Sequence, residues 1–132
     1  MTTHASCTFE VKSWDEQTVN EVDGRLKLTR ATVSFAYTGD LEGTSAMEYL
    51  MQYGDGGSAK VLGLERVTGK LGGKEGTFVI EYHGGYADGT ASGQLTVVEG
   101  SGTGALEGLR GQGSAVAKQD GTTSFKLDYD YA

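Results

Sequence analysis

Apolar and polar side chains alternate along most of this chain, and the alternation breaks off and restarts about every fifteen residues at clusters rich in glycine and aspartate. A period of two turns successive side chains to opposite faces of a strand, so the pattern fits β-structure and not a helix. In SCTFEVKSW (6–14), Cys7, Phe9 and Val11 alternate with Thr8, Glu10 and Lys12, and Trp14 closes the run. A polar connection leads to LKLTRATVSFAY (26–37), with Ala31, Val33, Phe35 and Tyr37 on one face. In EGTSAMEYLMQY (42–53), Met47, Tyr49, Met51 and Tyr53 share a face. The tetrad 54-GDGG-57 is a hairpin signal, because glycine and aspartate tolerate the positive φ of tight turns. Strands follow over 58–69, over 77–86 with Phe78, Ile80 and Tyr82 on one face, over 90–98, and over 123–132 with Phe125, Leu127, Tyr129 and Tyr131 on one face.

With pairing continued through 100–116, this makes about eight strands joined mostly by short turns, and no helix long enough for a parallel crossover. A meander of that kind leaves two open edges, which closure into an eight-stranded antiparallel up-and-down β-barrel removes. Eight strands enclose an interior that side chains nearly fill or that holds one small ligand. The expected organisation is one all-β barrel domain over residues 1–132.

The stretch 100-GSGTGALEGLRGQGS-114 raises a rival reading, a phosphate-binding loop. A P-loop needs Lys and Ser or Thr directly after its last glycine, whereas Gly104 is followed by Ala105, Leu106 and Glu107. The glycines at 102, 104 and 108 also miss the dinucleotide spacing, and no strand–helix–strand unit surrounds them. Glycines inside a strongly coiled barrel mark bulges and close backbone approach instead. On that reading alternation runs on through Ala105, Glu107 and Leu109.

Charge and cysteine usage exclude further classes. A net charge of −7 sets the surface against phosphate backbones and anionic lipid, so neither nucleic acid nor membrane is an expected partner. Cys7 is the single cysteine, which rules out an intrachain disulfide and a multi-cysteine metal site. No basic-then-apolar leader and no apolar run of membrane-spanning length is present, so a cytoplasmic location is expected.

Six runs together carry a family resemblance: FEVKSWDE (9–16), LTRATVSFAYTGDLEG (28–43), EYLMQY (48–53), GLERVTGKLGGKEGTFV (63–79), SGTGALEGLRGQG (101–113) and LDYDY (127–131). In combination they resemble the bacterial DUF3224 family over almost the whole chain. The resemblance implies a fold similar to the allene oxide cyclase barrel, shared with dirigent proteins, with a central cavity. Where the family usually carries a proline before the SGTG motif, this chain has Glu99. The family has no established catalytic residues to carry over. Proteins that share the barrel cyclise or guide hydrophobic substrates and form dimers and trimers, so a small hydrophobic ligand and a homo-oligomer are expected by analogy of fold.

Among individual residues, Glu65 in 63-GLERV-67 is the candidate proton carrier. A carboxyl facing a barrel interior would have its pKa raised by desolvation and could act as general acid or base; facing outward it would pair with a surface cation. Arg66 must face the opposite way from Glu65. If the turn at 54–57 pairs Tyr53 with Ala59, then Tyr49 stands opposite Gly63 and Met47 opposite Glu65, all on one face; a slip of one residue puts Arg66 there instead. His83 is the second catalytic candidate, either with Glu65 or in a surface pair with Glu81. Phe35, Tyr49, Met51, Tyr53 and Tyr82, with Arg66 in the slipped register, are the candidate ligand-binding residues. Tyrosines and methionines exceed what a purely structural core requires and suit a cavity. No nucleophile elbow and no metalloprotease motif occurs, and neither a metal nor a cofactor is expected. A cofactor-independent isomerase or cyclase, and a homo-oligomeric structural protein, stand beside the binding role.

Overall fold

A computed structural model describes residues 2–54 and 56–132, and among them eight antiparallel strands close into one hydrogen-bonded ring. These are β1 (Thr3–Asp23), β2 (Leu26–Gly39), β3 (Leu41–Tyr53), β4 (Ala59–Leu71), β5 (Lys74–Ala87), β6 (Thr90–Val97), β7 (Leu109–Lys118) and β8 (Thr123–Tyr131). Each pairs with the next in sequence, and β8 closes on β1 from Thr3↔Tyr129 to Cys7↔Phe125. The architecture is the up-and-down barrel that the alternation called for, with irregularities in β1 and between β6 and β7.

The β3–β4 hairpin sets which side chains face inward. Tyr53 pairs with Ala59, Tyr49 with Gly63 and Met47 with Glu65, so Glu65 points into the barrel and Arg66 out. In the connecting turn the Gly54 N–H donates to the Ser58 carbonyl at 2.9 Å, and Gly56 and Gly57 have positive φ; Asp55 lies outside the described residues.

Several glycines make room for rings. Gly63 lies between Tyr49 on β3 and Tyr82 on β5, whose rings meet edge to face at 5.8 Å. A Cβ on Gly63 would stand 2.8 Å from Cδ1 of Tyr49, and one on Gly93 would stand 2.5 Å from Cζ of Tyr82. The aromatic face and the glycine content are therefore one packing solution: a ring covers the place where its neighbour has no side chain.

Two segments differ from the sequence reading. Of residues 15–25, read as a polar connection, 15–23 continue β1 and pair with the start of β2 in a long ribbon that runs beyond β8, leaving only 24–25 as the turn. A register shift between Val11 and Ser13 adds one residue to β1, so that after Val11 it is Trp14 and Glu16, opposite Val33 and Ala31, that turn inward. Residues 104–106, read as strand, form a 3-10 turn instead. Positive φ at Gly104 and Gly108 bends the chain across the end of the barrel and buries Leu106 completely. With Leu41, Leu71 and Leu109, it seals that end.

Candidate functional site

The opposite end opens into a cavity of about 160 Å³. Its walls are apolar: Phe35 from β2, Met47, Tyr49 and Met51 from β3, Tyr82 from β5 and Phe125 from β8. Phe9, Val11 and Trp14 of β1 and Tyr86 of β5 stand round the mouth. Trp14 is 47% exposed and its ring lies 6.0 Å from that of Tyr49, so the β1–β2 ribbon lays an aromatic side chain against the entrance.

One carboxyl lines this apolar space. Glu65 is three inward positions along β4 from the mouth residue Ala59, after Val61 and Gly63, and it is 2% exposed. Its Oε2 accepts hydrogen bonds from Tyr37 Oη and Ser45 Oγ, while Oε1 has no protein partner among the described residues. Burial pushes the Glu65 pKa above the ordinary carboxylate value, and the two hydroxyl bonds only partly oppose this. Burial first, then the Glu65 charge, raises the Tyr37 and Tyr49 phenols. An acid of raised pKa with one oxygen facing an apolar cavity can hold or exchange a proton with a bound molecule.

A second carboxylate stands at the mouth. Glu16 Oε2 accepts from Tyr53 Oη at 2.6 Å and Thr29 Oγ1 at 2.7 Å, and Oε1 accepts from Trp14 Nε1 at 3.0 Å. Burial alone would raise this carboxyl, but those three bonds and the nearby Lys27 charge outweigh it, and its pKa falls below the ordinary value. Glu16 thereby ties the ribbon to β3 and orients Trp14.

Of the residues singled out in the sequence, Glu65, Phe35, Tyr49, Met51 and Tyr82 come together around the cavity. Tyr53 stands on the same face nearer the mouth, bound to Glu16. Arg66 and His83 are exposed on the outer face, so neither reaches the cavity. Nε2 of His83 lies 2.8 Å from Oε1 of Glu81, the surface arrangement, and no Glu65–His83 pair is formed. The sequence reading missed Glu16 and Trp14, because the bulge that turns them inward has no marker of its own. It also missed Ser45, although Ser45 has the parity of Met47 and Tyr49. Among the described residues no group of three or more His, Cys, Asp or Glu side chains is placed to hold a metal, and no helix is long and apolar enough to cross a membrane.

Fold and site together define an eight-stranded antiparallel β-barrel with an apolar interior cavity and a buried carboxyl lining it. A family model described as "Protein of unknown function (DUF3224)" matches residues 5–129, and the chain belongs to that family. A crystal structure of a DUF3224 protein of unknown function from Shewanella oneidensis MR-1 is similar, at 27% identity and a TM-score of 0.79, over 100% of this chain and 99% of that one. No curated protein matches the chain.

Proposed function

We propose that this barrel binds one small hydrophobic molecule in its cavity. The observation that carries the reading is an open apolar cavity of about 160 Å³ built from aromatic and methionine side chains on neighbouring strands. The volume sets the scale of the occupant. A cavity of about 150 Å³ takes a benzene-sized ligand, whereas drug-sized molecules occupy about 300–1,000 Å³. The occupant is accordingly about one ring in size.

The chain has three methionines, and two of them, Met47 and Met51, line the cavity. Labelling the methionine methyls with carbon-13 therefore places two reporters in the site. Titration with toluene is expected to shift both signals saturably at millimolar ligand, and native mass spectrometry of freshly purified protein would report any molecule carried along. Unmoved Met47 and Met51 signals at saturating toluene would defeat the reading.

Glu65 favours a second reading, a cofactor-independent isomerase that holds its substrate in the cavity and moves a proton through this carboxyl. Once a turned-over compound is in hand, Glu65→Gln must abolish its conversion, and unchanged conversion rules Glu65 out. A homo-oligomer would draw instead on the outward row of Leu50, Leu62 and Leu64, flanked by the Arg30–Glu48 and Glu81–His83 pairs. Sedimentation of wild type and Leu62→Glu tests it: a wild-type assembly must dissociate in the variant.

A further inference from the structure

Resting on the binding role above, we infer that the ligand is a neutral carbonyl compound about the size of one six-membered ring, its oxygen accepting a hydrogen bond from Oε1 of an uncharged Glu65. The argument starts from the two oxygens of Glu65. Tyr37 Oη and Ser45 Oγ both donate to Oε2, so the acid proton of the neutral group resides on Oε1. Oε1 has no protein partner among the described residues, and Glu65 lines the cavity. The site thus presents the Glu65 O–H as a hydrogen-bond donor inside walls of phenylalanine, methionine and tyrosine rings, beside the phenols of Tyr49 and Tyr82, so a ligand that brings an acceptor is favoured there. A carbonyl oxygen supplies that acceptor without bringing charge into the cavity. An ammonium ligand would require ionising Glu65 and desolvating two charges at once, and a carboxylate ligand would place an unpaired charge among the rings.

The ionisable groups around Glu65 leave its proton as the one that changes. Cys7 on β1, Tyr37 on β2, Tyr49 on β3 and Tyr82 on β5 are each pushed up by burial, Cys7 to about 12, and stay neutral through the accessible range. Glu16, at the mouth, is held ionised. As pH rises through the folded pKa of Glu65, Oε1 loses its proton and turns an acceptor toward the ligand oxygen, so carbonyl binding weakens.

Three probes of one shape test this on the intact chain, read by the Met47 and Met51 methyl signals: cyclohexanone, methylenecyclohexane and cyclohexylamine. At about pH 5, cyclohexanone is expected to bind about tenfold tighter than methylenecyclohexane, the scale of one net hydrogen bond. That margin must shrink as pH rises through the folded pKa of Glu65 and the group ionises. Glu65→Gln turns its amide oxygen to Tyr37 and Ser45 and its NH2 to the cavity, and so keeps the preference for the ketone at every pH. Ser45→Ala, a milder change that removes one anion-stabilising bond, keeps the preference and moves its loss to higher pH. Equal binding of ketone and alkene at about pH 5, tighter binding of the amine, or a Glu65→Gln protein that binds without ketone preference overturns the inference while leaving the cavity reading intact. If none of the three probes moves either methyl signal, the binding role itself fails.

Discussion

Replacing Tyr37 with Phe removes one hydroxyl and leaves the ring in place, packed edge to face on Phe125 at 5.1 Å. The stability change therefore reports the hydrogen bond to Glu65. A buried hydrogen bond between neutral groups contributes about 0.5–1.5 kcal/mol, and one to an ionised group about 1.5–3 kcal/mol. Because burial raises the folded pKa of Glu65, the folded state holds its proton more tightly than the unfolded chain does. The contribution of that proton is complete below the ordinary carboxylate value and is lost as pH rises through the folded pKa. Tyr37→Phe withdraws a stabiliser of the anion and moves the folded pKa further up, so its penalty must grow with pH. At about 2.1 cal/mol/K of unfolding entropy per residue, 1 kcal/mol corresponds to about 3–4 °C in a chain of this length. The expected fall in Tm is then about 2–5 °C where Glu65 is neutral and about 5–10 °C where it is ionised. Thermal melts followed by circular dichroism over a pH series that starts below the ordinary carboxylate value follow the change, and the same substitution in a Glu65→Gln background should give a penalty independent of pH. A penalty that has already reached its larger value at the ordinary carboxylate pKa in the wild-type background would refute the assignment of a raised pKa to Glu65.

Gly63→Ala puts a Cβ 2.8 Å from both the Glu48 carbonyl oxygen and Cδ1 of Tyr49, and 3.0 Å from Sδ of Met47; denaturant unfolding should show a loss of about 1–3 kcal/mol, with a displaced Met47 methyl signal. Glu16 has a lowered folded pKa, so its contribution is present above the ordinary carboxylate value and lost as pH falls through the folded one. Fluorescence of Trp14, the single tryptophan, should accordingly report a more solvated ring at acid pH, and Glu16→Gln should remove that dependence. Arg66→Ala and His83→Ala, both on the outer face, should leave cyclohexanone affinity within twofold of wild type, because neither side chain reaches the cavity.

Most of the fold was legible because alternation and turn residues agreed along β2 to β6 and β8. Met47, Tyr49, Met51 and Tyr53 declared an inward face, and the β3–β4 register then carried Glu65 onto it. Sequence alone could not choose between that register and a slip of one residue, since both satisfy the turn glycines and the slip turns the whole of β4 over, with Leu62, Leu64 and Arg66 inward in place of Val61, Gly63 and Glu65. The energetic difference is large: inward Glu65 finds Tyr37 and Ser45 to bond, whereas an inward Arg66 would bury a charge at that position. Glu16 and Trp14 were hidden for another reason. A bulge changes inside to outside by inserting one residue, and nothing in the composition of KSWDE marks the insertion. The 3-10 turn at Gly104–Leu106 was misread because Ala105, Glu107 and Leu109 imitate a strand while the glycines beside them allow a bend.

A carboxyl inside an apolar barrel is a poor device for stability. Its two hydroxyl partners compensate only part of the desolvation, as the upward shift of its pKa reflects. A packed core would do better with methionine at 65, phenylalanine at 37 and alanine at 45, which keep most of the volume and remove every polar atom of the trio. Replacing a buried polar cluster by apolar groups of similar shape ranges from neutral to about 4 kcal/mol stabilising. The combined variant Tyr37→Phe, Ser45→Ala, Glu65→Met is therefore expected to unfold at equal or higher denaturant concentration than wild type at neutral pH, and to lose its discrimination between cyclohexanone and methylenecyclohexane. A loss of more than about 3 kcal/mol would show instead that the trio holds the barrel together, and Glu65 would then need no ligand to account for its place. Gained stability with lost discrimination is the signature of a group retained for what enters the cavity.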